Sequence, residues 1–165
     1  MITDWEFLVK PLRDELQEHG ALLNLFEEQQ AAILGRQPDL VLHIAEAINK
    51  QVTVIRDCHK RRKASVSLVA KEVQRPESTP LSELIPYFPD AAWPLLRALV
   101  SEVNRLVRQT KRRAHQNQML LARTIEVSQE ILQRLNPGNL IKTYSPEGRV
   151  EVGATAAKSR VVARS

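Results

Sequence analysis

Four side chains offer soft ligands or a nucleophile: His43, Cys58, His59 and His115. A catalytic metal needs three or four such groups converging from fixed spacings, and no CxxC, HExxH or paired ExxH pattern occurs. Cys58 and His59 are neighbours in a helical stretch and point about 100° apart. Cys58 also falls on an apolar stripe, where a cysteine behaves as a small hydrophobe. The five glycines stand at 20, 35, 138, 148 and 153, so there is neither a Gly-rich phosphate loop nor a nucleophile elbow. The chain reads as a non-enzyme with no metal or cofactor.

Charge offers a second chemistry. Lys60-Arg61-Arg62-Lys63 and Lys111-Arg112-Arg113 could form one basic face for nucleic acid, extended by Arg105, Arg108 and the C-terminal residues. Residues 137–165 hold +3 of the formal net charge of +5. Against this, no recognition-helix module is visible, and the sparse aromatic residues do not interleave with the basic ones. In an up-down-up bundle the two basic runs would lie side by side, with Asp14, Glu15 and Glu18 as counter-charges. A solvated, partly paired polar band is the plainer reading of those groups.

The third chemistry is apolar. Between Asp90 and Asn136 there is no glycine and, after Pro94, no proline. Leu96, Val100, Val103, Val107, Thr110, Ala114, Asn117, Leu121, Thr124, Ser128, Ile131 and Leu135 recur at alternating spacings of three and four, which predicts one amphipathic helix roughly 70 Å long. In its C-terminal half the apolar positions spread beyond that stripe, through Met119, Leu120 and Val127 on one side and Ile125 and Leu132 on the other. This face spans roughly 160°, wider than the ~100° a bundle helix needs. A partner helix from another protein, different neighbours at the two ends, or a folded-back C-terminus would each cover the surplus.

Elements must position these residues. The first helix is expected from an Asp4 N-cap to about Leu34, with Pro11 an awkward inclusion. Gly35-Arg36-Gln37-Pro38 separates it from a second helix over about 39–74, and so short a link favours an antiparallel hairpin. A break at 75–80 and a short helix near 81–88 lead to the long helix at 90–136. Residues 137–165 read as a flexible basic tail with a short extended piece around Arg149–Val152. The expectation is an all-α, elongated antiparallel bundle of three long helices with coiled-coil-like packing over 1–136. One cysteine suits a reducing compartment, and neither a signal peptide nor an apolar run of about 18 residues is seen, so a cytoplasmic monomer or homodimer without a membrane span is expected.

Over about residues 5–150, and most specifically from Thr110 to Gly148, the chain resembles the FlgN-type flagellar export chaperones. The resemblance rests on Asn117 followed by Leu120 and Leu121 late in a long helix, then on Tyr144 and Gly148 in a Tyr–X–X–X–Gly turn. It departs from that pattern at Ser145-Pro146 and in the basic extension after Gly153. The resemblance implies a cytoplasmic, non-enzymatic chaperone that binds the helix-forming C-terminal segment of flagellar hook-associated (hook–filament junction) proteins. It would deliver them to cytoplasmic components of the type III export apparatus. On that reading Leu121, Ile125, Ile131, Leu132 and Leu135 contact cargo, and Tyr144 docks on the export gate. Asn117 has a plainer role as a buried polar residue that fixes helix register.

Overall fold

In a computed structural model of the chain, residues 4–135, 141–144 and 150–153 are described. They form four α-helices: α1 (Glu6–Leu34), α2 (Pro38–Glu72), α3 (Leu81–Leu84) and α4 (Trp93–Leu135). Two short 3-10 turns, Ile85–Tyr87 and Asp90–Ala92, join α3 to α4. Two strands follow, β1 (Ile141–Tyr144) and β2 (Val150–Gly153). Contacts divide the chain into two compact units, Met1–Gln118 and Met119–Ser165.

In the first unit α1 and α2 run antiparallel. Glu15 faces His59 and Arg62, and Glu18 faces Gln51, so rising numbers on one helix meet falling numbers on the other. The first part of α4 runs parallel to α1. Leu96 and Leu99 share a core with Leu8 and Leu12, while Asn117 and Arg113 bond to Phe26, Gln29 and Gln30. Long helices hold together here because each carries an apolar stripe that must leave water.

The densest part of that core lies at the end where α2 finishes and α4 begins. Phe88, Leu84, Ile85, Leu81 and Ala92 from the connection pack with Leu8, Leu12, Val66, Val69, Ala70 and Leu96. The segment expected to be at most a short helix therefore supplies the plug of the bundle. Trp93 Nε1 donates to the Phe88 carbonyl at 2.8 Å, and Arg75 Nε donates to the Tyr87 hydroxyl at 3.0 Å, tying this plug to its flanks.

Helix ends differ from the sequence reading in instructive ways. Asp4 does not cap α1; Trp5 occupies that position without a side-chain cap bond, and Pro11 sits inside the helix. The residue that reverses the chain after α1 is Arg36, at φ 52°, not Gly35, at φ −77°. The Gln37 amide reaches back to the Ala32 carbonyl, which takes up one of the orphan acceptors of the helix end. Gln74, at φ 56°, ends α2 the same way, with the Arg75 amide on the Ala70 carbonyl. Asp90–Ala92 form a 3-10 turn, so α4 starts at Trp93 with Pro94 in its first turn, where a missing N–H costs little.

In the second unit β1 and β2 pair antiparallel, Ile141 opposite Gly153 and Tyr144 opposite Val150. The extended piece expected around Arg149–Val152 overlaps β2, and β1 is an extended segment that the sequence reading does not include. Backbone pairing of two short extended runs satisfies donors and acceptors that a lone extended segment leaves to water. The other residues of the expected tail, 136–140, 145–149 and 154–165, lie outside the described residues.

Candidate functional site

The middle of the first unit is polar, and part of that polarity is buried. Leu8, Leu12, Glu15, His19 and Leu22 fall at spacings of four, three, four and three, so a carboxylate and an imidazole share the buried arc of α1. Glu15 is 2% exposed. Arg62 of α2 clamps it through Nε on Oε2 and through Nη2 on Oε1 at 3.3 Å. His59 Nδ1 stands 3.4 Å and His19 Nε2 3.8 Å from the same carboxylate. Nδ1 of His59 is also 3.1 Å from Arg62 Nη2, and a single ring nitrogen serves one of these partners at a time.

Electrostatics follow from this geometry. Burial pushes the Glu15 carboxyl up, but His19, the Arg62 hydrogen bonds and charge, and His59 together outweigh burial and hold it down at about 2. Glu15 had been expected among solvated counter-charges; instead it is the buried anion of the bundle. Glu18 accepts from Gln51, and Asp14 lines a cleft of about 200 Å³ with Lys10, Pro11, Cys58 and Arg61.

The two basic runs do not lie side by side. Arg62 faces Glu15, whereas Arg113 faces Glu27 and Gln30, three to four turns further along α1. The cause is the connection at 75–92, which fills the end of the bundle with its own core and sets α4 in register by Leu96 and Leu99 rather than by the helix ends. Cys58 is buried, with Arg61 Nη2 on its sulfur at 3.2 Å, while His43 and His115 are exposed on separate helices. Among the described residues no three His, Cys, Asp or Glu side chains are grouped to hold a metal ion.

Asn117 is 2% exposed and crosses from α4 to α1. Its Nδ2 donates to the Phe26 carbonyl at 2.7 Å and to Gln29 Oε1 at 3.1 Å, leaving Oδ1 without a partner. Beyond Asn117 no residue of α4 is buried. Leu121 is 39% exposed, Ile131 52%, Leu132 64% and Leu135 72%; Met119 and Val127 are exposed too, and Leu120 and Ile125 partly so. Thr124 and Ser128, at stripe positions, turn their hydroxyls back to the carbonyls of Leu120 and Thr124. Tyr144 closes β1, and Gly148 lies outside the described residues.

No helix among the described residues is long and apolar enough to cross a membrane. Neither a curated relative nor a solved structure matches the chain. A model of the FlgN protein family matches residues 4–151, from two residues before α1 into β2. With nine-tenths of its length so matched, the chain belongs to the FlgN family.

Proposed function

We propose that this chain is a cytoplasmic export chaperone whose cargo seat is the apolar face of α4 beyond Asn117. Membership of the FlgN family suggests a flagellar export chaperone in general terms. The observation that carries the finer reading is the exposure of Leu121, Ile131, Leu132 and Leu135, with Ile125 between them, on a helix that buries nothing of its own there. Exposed leucines scattered singly are ordinary, but several on one helical face leave an apolar strip that a second amphipathic helix covers.

The cargo in this reading is the helix-forming C-terminal segment of a hook-associated protein. Covering each large side chain contributes about 1.5–3 kcal/mol of gross burial, while ordering a disordered segment costs about 2–5 kcal/mol or more. The balance is an affinity that the export apparatus can reverse. Tyr144, at the end of β1, is the proposed contact with the export gate.

Titration with a labelled amphipathic C-terminal peptide of a hook-associated protein, at low and high salt, tests the seat. Apolar docking predicts binding that persists in high salt and is lost in the double variant Ile125→Asp, Leu132→Asp, with helix content and melting unchanged because neither side chain is buried. Equal binding by the double variant removes the cargo seat from α4.

A further inference from the structure

Opposite the buried side of α4 runs a second feature, unrelated to the apolar strip. Leu96, Leu99, Val103, Leu106, Thr110 and Asn117 mark the buried arc. Arg97, Arg105, Arg108, Lys111 and Arg112 lie within an arc of about 120° centred roughly 160° away, at 100° per residue. All five are exposed, as is His115 in the same arc. Arg113, by contrast, turns inward to Glu27 and Gln30.

These cations are poorly neutralised. From Arg97 to Gln118 the only acidic residue is Glu102, and it is held by Arg105. Arg97 lies over the Trp93 ring, 5.4 Å from its centroid, which fixes the direction of its guanidinium. Arg108, Lys111 and Arg112 make no ion pair among the described residues. Such a row repels itself unless an anion covers it.

We propose that this outward face of α4 is a sequence-independent docking surface for the phosphate backbone of a nucleic acid. Three observations select that occupant over other anions. Between the cations stand Ser101 and Asn104, with Gln109 and Gln116 along one edge, so the face has no apolar seam on which a partner helix could pack. Its aromatic side chain, Trp93, lies beneath Arg97, and no row of large aliphatic side chains stands between the cations to enter a lipid interface. Isolated surface pairs with carboxylates contribute little, whereas each cation set against a polyanion releases a condensed counterion, so the unpaired Arg108, Lys111 and Arg112 gain most on phosphates. With contacts confined to the phosphate backbone, base identity goes unread.

The test uses the full chain and a fluorescent single-stranded RNA of about 20 nucleotides, with polarisation read between about 50 and 200 mM salt. Wild type is expected to bind at the lower salt and to weaken with a log–log slope of about −2 to −4, as three to five phosphate contacts predict. The double variant Arg108→Gln, Arg112→Gln, both exposed and outside the core, is expected to bind at least about tenfold more weakly at the lower salt. Its slope should be shallower by about 1.4, the loss of two contacts. Three results overturn the proposal: no binding by wild type at the lower salt; an unchanged affinity and slope in the double variant, which moves the contact to the basic residues after 136; or equal or tighter binding of polyglutamate or phosphatidylserine vesicles.

Discussion

Nδ2 of Asn117 donates to the Phe26 carbonyl at 2.7 Å, a side-chain bond that ties α4 to the backbone of α1 at the last buried position of α4. The amide is satisfied on one side only, since Oδ1 has no partner. An apolar residue there would still fill space, but it would not distinguish one register from the next.

Asn117→Ala is therefore expected to lower stability by about 1–2 kcal/mol in urea unfolding, from two lost hydrogen bonds partly offset by the removal of an orphan acceptor. Asn117→Leu is expected to cost less. An Ala variant as stable as wild type would show that the bond contributes nothing net.

Glu15 gives the bundle a pH dependence whose sign is fixed. Its folded carboxyl is held at about 2 against an ordinary 4.5. The stabilisation is present in full above the ordinary value and is lost as pH falls from there towards 2. The span corresponds to about 3 kcal/mol. Unfolding measured between pH 6 and pH 3 should lose stability steeply in wild type and more gently in Glu15→Gln, which should already be weaker by about 2–3 kcal/mol near neutrality. Parallel curves would rule out Glu15 as the group responsible.

Gly20 lies inside α1, and a Cβ placed on it meets nothing within 4 Å. Helical glycine costs chain entropy without a steric reason for it here. Gly20→Ala should raise stability by about 0.5–1 kcal/mol, seen as a higher denaturant midpoint at unchanged slope. A lower midpoint would mean that the position needs its freedom.

Phe88 is 1% exposed at the centre of the plug between α3 and α4. Phe88→Ala should cost about 3–5 kcal/mol, enough to threaten folding. If calorimetry shows a small change, the 75–92 connection is not what holds the ends of α1, α2 and α4 together.

Much was legible in the spacing of residues. Three long helices, the link at Gly35–Pro38 and the extended character of 150–152 follow from periodicity and turn residues, because helix and strand repeat differently in sequence. Helix caps were less legible. Arg36 and Gln74 adopt the left-handed turn that favours glycine, and the rest of the helix end enforces it. The apolar width of α4 beyond Asn117 could be counted from the residues, but which of them stay exposed could not.

Residue order alone dictates that the chain is helical, that α4 is one continuous helix, and that its C-terminal half carries more apolar surface than one seam uses. These are properties of a single helix, set by which residues share a face. Helix packing, by contrast, buries Glu15 against Arg62, sets Lys60–Lys63 and Lys111–Arg113 at different levels, and closes the core with Phe88. Those facts depend on the axial register between helices. Register is chosen by the best joint burial of many side chains, a long-range sum that no local pattern in one helix contains.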